Sequence, residues 1–364
     1  MSYFLTFFLT FLLSLIFSYL MHKVALFFKI IDYPQRAERK VHQAPTPLLG
    51  GMAIFLSFFI VVGLVAALTN HFWIGHIASK QLLAVFLGAF ILMVAGFLDD
   101  KYNLRPFWQT IAPTLAAIII VLGEITITFI TNPFGGTLEL VSYIKELNFL
   151  GFNYNLRLPA DIITFAWLSG MMYTTKLLDG LDGLVSSLTG VGALVIFAFT
   201  LVTKYYQPDV ALLAIILAGA CFGFLLLNRH PARIFLGEGG SLLLGFLLGV
   251  LAIISGGKIA TTLLVIGIPF FDMIWVILRR FFWEHRSVTT ADDKHMHFRL
   301  LRLGLSQNQV VILMNIIPAI FGATGLYLQS KAKLFLLGSL LIFMAVLAVL
   351  TILVYKHKHE HLRR

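Results

Sequence analysis

The stretch Lys176-Leu-Leu-Asp-Gly-Leu-Asp-Gly183 places two carboxylates, Asp179 and Asp182, three residues apart at the end of a long apolar run. If a helix continues through them, both acids share one face. The neighbouring glycines leave room for a phosphate or a metal ion. Ionisable groups at a membrane edge are costly and usually face water or a partner. We therefore interpret the stretch as the centre of a candidate site, the alternative being a short polar turn between two helices.

Two further features place carboxylates at the ends of apolar runs. Asp99 and Asp100 follow Leu98, and Glu238 lies in Phe235-Leu-Gly-Glu-Gly-Gly-Ser241 just before another run. A solvated or turn-capping role explains the acidic pair as well as a functional role does. Glycine-rich turns at helix starts can bind anions, although this one fits neither the P-loop nor the dinucleotide pattern.

Basic residues and histidines occur in loops on the same predicted side of the membrane as these acids. They are Arg39, Lys40 and His42 after the first apolar window, Arg233 in the loop with Glu238, and His295, His297 and Arg299 in a later loop. Lys and Arg suit phosphate oxygens, although loops of this kind are also basic for reasons of membrane orientation. The spacing of the two histidines excludes a helix-borne zinc pair of the His-Glu-x-x-His type. A solvated histidine pair remains the alternative.

Carboxylates and cations on one side of a membrane suit one type of chemistry. Magnesium prefers carboxylates together with substrate phosphates. Phosphoryl transfer consists mainly of positioning and charge neutralisation by metal ions and cations. A lipid phosphate would approach such a site from the bilayer and a soluble nucleotide from the cytosol.

The composition predicts an integral membrane protein in a lipid bilayer, because 59% of the residues are hydrophobic, 12% are charged and the mean hydropathy is +0.91. The single cysteine, Cys221, excludes a disulfide framework. A net charge of +10 is explained by basic cytoplasmic loops, so no nucleic-acid partner is expected. The first stretch has no basic start and no cleavage site, so it predicts a retained helix rather than a signal peptide.

The hydropathy pattern predicts an all-α polytopic protein with about eleven transmembrane helices in a single domain over residues 1–364. The apolar windows lie at about 3–22, 48–68, 80–98, 107–124, 160–178, 184–203, 209–227, 241–256, 259–278, 309–328 and 332–355. A segment rich in β-formers near 125–159 predicts a short extracytoplasmic hairpin.

The distribution of basic residues predicts the orientation. Of the 27 Lys and Arg residues, 19 fall on the side of the first loop and seven on the other, with Lys23 at a helix end. This asymmetry places the N-terminus outside and the C-terminus in the cytoplasm. The catalytic cytoplasmic loops are then expected near 29–47, 99–106, 176–183, 228–240 and 279–308.

Five motifs, taken together and in this order, resemble the polyprenyl-phosphate N-acetylhexosamine-1-phosphate transferases, of the glycosyltransferase 4 type. The motifs are Arg39-Lys-Val-His-Gln-Ala-Pro-Thr-Pro-Leu-Leu-Gly-Gly51, Gly96-Phe-Leu-Asp-Asp100, Leu178-Asp-Gly-Leu-Asp-Gly-Leu184, Phe235-Leu-Gly-Glu-Gly-Gly-Ser241 and His295-Met-His-Phe-Arg-Leu-Leu-Arg-Leu-Gly-Leu-Ser306. The first and last look more like the branch that uses UDP-GlcNAc than the peptidoglycan branch that handles UDP-MurNAc-pentapeptide.

The resemblance implies transfer of GlcNAc-1-phosphate from UDP-GlcNAc to undecaprenyl phosphate, giving an undecaprenyl-diphosphate-linked sugar and UMP. It also implies a Mg²⁺ cofactor, with Mn²⁺ as the alternative ion, and a bacterial plasma membrane protein whose site faces the cytoplasm. The product would start a surface glycan such as teichoic acid or lipopolysaccharide O-antigen, and a homodimer is a further expectation. The alternatives are a phospho-MurNAc-pentapeptide transferase and a degenerate membrane scaffold or transporter.

The resemblance also implies roles for the acids. Asp99 and Asp100 match an acidic pair near the lipid phosphate, and Asp179 and Asp182 match acids of the nucleotide- and metal-binding loop. Glu238 and Asp179 are the expected metal ligands. A general base is little needed if the lipid phosphate is already ionised.

The histidines and cations are expected to bind substrate. His295 and His297 match a His-x-His motif associated with the sugar nucleotide and its diphosphate. The other expected substrate-binding residues are Arg39, Lys40, His42, Lys176, Arg233 and Arg299.

This chain departs from the family pattern in the same motifs. Glu238 stands where the family usually has a magnesium-binding Asp, and Lys176 stands where it usually has Asn. Many members carry another His where this chain has Met296 or Phe298. One hypothesis is that Lys176 pairs with Glu238 or with the diphosphate and takes part of the metal's neutralising role. The alternative is an unchanged magnesium site.

Overall fold

The computed structural model describes residues 2–34, 44–69, 72, 75, 77–132, 136–149, 152–202, 206–256, 259–284, 295–328 and 330–362. The helices are α1 Tyr3–Phe27, α2 Gly50–Leu68, α3 Ser79–Tyr102, α4 Pro106–Leu122, α5 Ala160–Leu178, α6 Leu184–Val202, α7 Pro208–Asn228, α8 Gly237–Ile254, α9 Ile259–Arg279, α10 Met296–Arg302, α11 Gln307–Tyr327 and α12 Ser330–Leu362. A π-helical turn, Arg280–Glu284, follows α9. The strands are β1 Ile31–Asp32, β2 Thr46–Pro47, β3 Phe129–Thr131, β4 Thr137–Glu139, β5 Val141–Phe149 and β6 Phe152–Pro159.

The prediction of an all-α polytopic membrane protein is confirmed. Within the described ranges, nine helices are long and apolar enough to cross a membrane. Each of the eleven predicted apolar windows coincides with one helix. Two of these helices are not among the nine: α4, which has 17 residues, and α5, whose last turn carries Lys176. No window predicted α10, because it has only seven residues. The orientation of the bundle in the membrane stays a prediction.

The hairpin expected within 125–159 is present. Strands β5 and β6 pair antiparallel, and β3 pairs with β4 in the same segment. The carboxylate of buried Asp161, at the start of α5, accepts hydrogen bonds from the Tyr154 hydroxyl at 2.6 Å and the Arg157 N–H at 2.8 Å. These bonds fix the hairpin to the helical bundle. Its extracytoplasmic location stays a prediction.

Helix α8 forms the centre of the bundle. Almost every residue from Gly237 to Ile253 is buried, and α2, α3, α5 and α6 pack around the helix. The Trp167 indole N–H of α5 donates to the carbonyl of Gly249 at 3.1 Å. Such central packing orders the neighbouring helix ends around the start of α8.

Paired glycines let two helix ends approach α8 at backbone contact. A Cβ atom on Gly96 of α3 would lie 2.2 Å from the Cα atom of Gly239, and one on Gly51 of α2 would lie 2.3 Å from the Cα atom of Gly240. Both distances are far below van der Waals contact. The end of α3, which carries Asp99 and Asp100, is therefore held directly against the start of α8.

We expect Gly96→Ala to destabilise the protein, because the new methyl group overlaps the α8 backbone. Overpacking of this kind costs about 1–3 kcal/mol. The matched control is Gly63→Ala in α2, where a Cβ atom meets nothing within 4 Å. Thermal unfolding in detergent should show a lower Tm for Gly96→Ala and an unchanged Tm for Gly63→Ala. Equal Tm values for the two variants would contradict the close approach.

Candidate functional site

The loops that carry the sequence motifs meet at one end of the bundle. The Phe235 N–H donates to the Pro47 carbonyl at 2.9 Å, and the Gly50 N–H donates to the Phe235 carbonyl at 2.9 Å. These bonds join the loop before α2 to the loop before α8. A Cβ atom on Gly180 would lie 3.0 Å from Nε2 of His297, so the loop after α5 touches α10. The structure thus brings together motifs that are far apart in the chain.

Asp100 binds the start of α8. Its Oδ1 atom accepts the Glu238 N–H at 3.0 Å. Gly237, with φ of +75°, lies so close that a Cβ atom there would be 2.3 Å from Oδ2 of Asp100. A side chain at this position would be strained by the backbone angle and would collide with the carboxylate. The Asp100 carboxylate therefore lies in a cradle formed by the glycine-rich turn.

Lys176 pairs with Glu238, the first of the two partners that the sequence hypothesis named. The ammonium contacts Oε1 of Glu238, and the two side chains are 21% and 19% exposed. The same ammonium donates to Oε1 of Gln109 at 3.1 Å. Nε2 of Gln109 in turn donates to Oδ1 of Asp99 at 3.0 Å. A continuous polar network thus joins the ends of α3, α4, α5 and α8.

Asp179 and Asp182 lie in a tight turn between two helices, so the condition under which both acids would share one helix face is not met. Helix α5 ends at Leu178, Asp179 is its C-cap, and α6 begins at Leu184. Gly183, with φ of +77°, closes the turn. Glycine adopts this left-handed angle without steric cost, so the chain can enter α6 directly after it.

The turn directs Asp182 towards the loop between α7 and α8. Oδ2 of Asp182 lies 2.7 Å from Nδ1 of His230 and accepts the Ala232 N–H at 3.1 Å. Asn228 supports this loop, since its amide donates to the Ile234 carbonyl at 3.0 Å and accepts from the Ser186 hydroxyl at 2.9 Å. Asp182 thereby fixes the loop that leads to Glu238.

Asp179 is an acid whose negative charge is costly to maintain in this cluster. Burial raises its pKa to about 7, and the negative charges of Glu238 and then Asp182 contribute further. Burial disfavours the charged carboxylate, and each neighbouring acid adds repulsion. A cation brought to this point would stabilise the ionised form.

The histidine motif packs against the turn that contains Asp179 and Asp182. Nδ1 of His295 lies 2.7 Å from Oδ2 of Asp272 in α9, and the rings of His295 and His297 are parallel with centroids 5.8 Å apart. They face each other because His295 precedes α10 and has an extended backbone. Burial lowers the pKa of His297 to about 3, with His295 lowering it further and Asp272 opposing. His297 is thus a neutral imidazole at neutral pH.

The remaining predicted residues are less closely joined to this network. Arg233 is exposed, and its backbone N–H donates to the Leu227 carbonyl at 2.8 Å. Arg299 is half-buried on α10. Arg39, Lys40 and His42 lie outside the described residues, so their predicted roles stay predictions.

A magnesium ion fits the site by donor type, since carboxylate oxygens are its preferred protein ligands. The arrangement of the side chains is different. Among the residues that the structure describes, no group of three or more His, Cys, Asp or Glu side chains is placed to hold a metal ion. Oxygens of Glu238 and Asp182 already contact Lys176 and His230. The carboxylates are satisfied by the chain's own groups in this conformation.

Sequence reasoning did not assign Gln109, His230 or Asp272 to the site. Gln109 was detectable as an amide near the start of an apolar window. His230 lies in the polar run between two apolar windows, and Asp272 is an acid within the apolar window 259–278. What the sequence lacked was the pairing, since His230 and Asp182 are 48 positions apart.

The fold and site define a polytopic membrane protein with an acidic and basic cluster at one end of its bundle. The family model "Glycosyl transferase family 4" matches residues 82–256. The "Probable undecaprenyl-phosphate N-acetylglucosaminyl 1-phosphate transferase" of Bacillus subtilis (strain 168) is 30% identical over 92% of this chain and 88% of its own length. The chain therefore belongs to glycosyl transferase family 4, and the resemblance to polyprenyl-phosphate sugar-1-phosphate transferases is confirmed.

Two other relatives represent further members. The "Decaprenyl-phosphate N-acetylglucosaminephosphotransferase" of Mycolicibacterium smegmatis (strain ATCC 700084 / mc(2)155) is 28% identical over 90% of this chain and 82% of its own length. The "Phospho-N-acetylmuramoyl-pentapeptide-transferase" of Geobacillus sp. (strain WCH70) is 29% identical over 80% of this chain and 86% of its own length. Relatives named for N-acetylglucosamine and relatives named for phospho-N-acetylmuramoyl-pentapeptide thus both match most of the chain.

We expect acid to destabilise the protein through His297. Its pKa is lowered from 6.5 to about 3 in the folded chain, so below pH 6.5 the unfolded chain takes up a proton that the folded chain does not. This stability is present above pH 6.5 and is lost as the pH falls from there towards 3, by up to about 1.4 kcal/mol per pH unit. Tm values in detergent should fall more steeply with acid for the wild type than for His297→Gln. Parallel curves would show that His297 is not held neutral.

Proposed function

We propose that the protein transfers a HexNAc-1-phosphate, and specifically GlcNAc-1-phosphate, from a UDP-sugar to undecaprenyl phosphate. The products are the undecaprenyl-diphosphate-linked sugar and UMP. The relatives' names support the polyprenyl phosphate acceptor and the N-acetylglucosamine group. The proposed location is the bacterial plasma membrane with the site on the cytoplasmic face, supported by the Lys and Arg asymmetry.

The observation that carries the proposal is the meeting of five membrane-edge carboxylates with one lysine. The carboxylates belong to Asp99, Asp100, Asp179, Asp182 and Glu238. Backbone contacts and hydrogen bonds join the three chain segments that bear them, while His297 closes one side. Because five carboxylates outweigh one lysine, the site needs further positive charge to hold a lipid phosphate and a nucleotide diphosphate, and the proposed divalent ion would supply it.

The proposed reaction is a displacement at phosphorus. An oxygen of the lipid phosphate attacks the sugar-bearing phosphorus of the UDP-sugar, and the bond from that phosphorus to the bridging oxygen breaks. The electron pair leaves with UMP. The attacking phosphate is already ionised near neutral pH, so it needs no proton removed. The residues of the site act by positioning the two phosphates and by balancing charge.

The residues divide between these two tasks. Asp99 and Asp100 lie at the end of α3 and are proposed to order the acceptor end. Asp179 and Asp182 form the turn proposed to order the nucleotide. His297, being neutral, can donate or accept a hydrogen bond at the diphosphate without adding charge. A bound Mg²⁺, or Mn²⁺ in its place, would supply Lewis-acid neutralisation, with Glu238 and Asp179 as its proposed ligands.

The test is UMP release by purified protein in detergent with UDP-GlcNAc and undecaprenyl phosphate. Asp100→Asn and Asp179→Asn should each lower the rate by a factor on the order of 100, because each removes a charge that orders the reacting groups. The matched control is Glu124→Gln, which removes a carboxylate paired with Lys80 away from the motif loops. It should keep the wild-type rate.

Other outcomes of this assay distinguish the alternatives. Release with UDP-MurNAc-pentapeptide but not with UDP-GlcNAc would identify the peptidoglycan reaction instead. Lack of release with every UDP-sugar, together with measured ion or solute flux, would identify a scaffold or transporter.

We expect chelation to distinguish two roles of Glu238, as a ligand of a required divalent ion or as the partner of Lys176 in place of the ion. If a divalent ion is required, EDTA should abolish UMP release and added Mg²⁺ should restore it, with Mn²⁺ able to substitute. The control is the same assay with EDTA already saturated by Mg²⁺. Release that survives EDTA would show that the protein's own cations suffice and would overturn the proposed cofactor.

A further inference from the structure

The ammonium of Lys176 occupies the position in the acidic cluster where charge balance requires a cation. It contacts Glu238, and Gln109 holds it from the other side at 3.1 Å. Gln109 is itself anchored to Asp99 at 3.0 Å. The ammonium is therefore held by two protein side chains, Glu238 and Gln109, rather than extended into solvent.

We propose that Lys176 is a resident cation that competes with divalent ions for the Glu238 carboxylate, so that metal can bind there only when the ammonium moves away. A further step, in which the released ammonium reaches the substrate diphosphate, rests on the function proposed above. Competition for Glu238 by itself requires no substrate.

The competition follows from charge and space. An ammonium and a divalent ion on one carboxylate repel each other strongly at contact distance in a partly buried site. Both side chains of the pair are about four-fifths buried, so water screens this repulsion less than at an exposed surface. Glu238 therefore holds one cation or the other.

The side chains also permit the exchange. Lysine has a flexible four-carbon stem and a compact charge, and it binds phosphate as a point charge. Lys176 is in the last turn of α5, next to the turn that contains Asp179 and Asp182. Rotation about its stem would redirect the ammonium while α5 stays in place, leaving the Glu238 carboxylate open towards Asp179.

The absence of a ready metal site supports this interpretation. No three acidic or imidazole side chains converge as ligands in the part of the chain that the structure describes. Yet Asp179 is placed where Glu238 and Asp182 both repel it. Glu238, one of the two proposed ligands, is held by the lysine instead.

The test measures Mn²⁺ affinity by electron paramagnetic resonance on the purified full chain without substrate. Lys176→Met should bind Mn²⁺ about tenfold more tightly or better than the wild type, because a competing positive charge is gone. The matched control is Lys80→Met, which removes a lysine from its 3.0 Å pair with Glu124 and should leave the affinity unchanged. The double variant Lys176→Met, Glu238→Gln should lose the gain.

Three results would overturn the proposal. They are an equal or weaker Mn²⁺ affinity in Lys176→Met, a gain of the same size in Lys80→Met, and a gain that persists after Glu238→Gln. Since Lys176→Met leaves a carboxylate without its cation, Lys176→Gln serves as the second variant, because its amide can still donate to Glu238. The same increase in affinity is expected for it.

A measurement on the wild type requires no substitution. Reductive methylation followed by peptide mass spectrometry reports how accessible each lysine amine is. Mn²⁺ should increase modification of Lys176 and leave that of Lys80 unchanged, whereas equal or lower modification of Lys176 would contradict displacement. Because none of these measurements needs turnover, failure of UMP release would refute the proposed reaction without affecting this inference.

Discussion

The ion pair between Lys176 and Glu238 is the interaction on which the site depends most. It joins the last turn of α5 to the first turn of α8, two helices that pack along their lengths. A mostly buried carboxylate without a cation would be costly at a membrane edge, and so would a mostly buried ammonium without an anion. Each side chain therefore makes the other tolerable. The pair also sets the distance between the turn with Asp179 and the glycine-rich turn before α8.

Close backbone packing makes this pairing possible. Gly96 and Gly51 bring α3 and α2 to within contact of Gly239 and Gly240, so the α8 start is surrounded by other helix ends rather than by their side chains. Side chains of ordinary size at these crossings would separate the loops by several ångströms, and the polar network would not close. The apolar core and the polar site thus depend on the same backbone contacts, because the glycines that pack the helices also place the acids.

Much of this architecture was predictable from the sequence, and the reason is the lipid environment. Helices that cross a membrane need long apolar windows, so every long helix was visible, whereas α10, with seven residues, was not. The motif acids were visible because charge at the edge of such a window is unusual. The conformation of the turn with Asp179 and Asp182 was not predictable in detail, because the spacing of the acids does not reveal the left-handed angle of Gly183. The partnership of Asp182 with His230 depends on packing between distant segments, which no local pattern encodes.

The departures from the family pattern gain meaning when they are considered together. Glu238 alone would lengthen a metal ligand, and Lys176 alone would add a charge beside a metal. In contact, the longer acid reaches the lysine and the lysine neutralises the acid, so the two changes compensate each other. Gln109 extends the compensation to Asp99, since its amide accepts from the ammonium and donates to the carboxylate. The network thus links the acid pair at the end of α3 to the end of α5, next to the turn with Asp179, through a cation that belongs to the chain. A ligand that moved the ammonium at one end would change the hydrogen bonds available to Asp99 at the other.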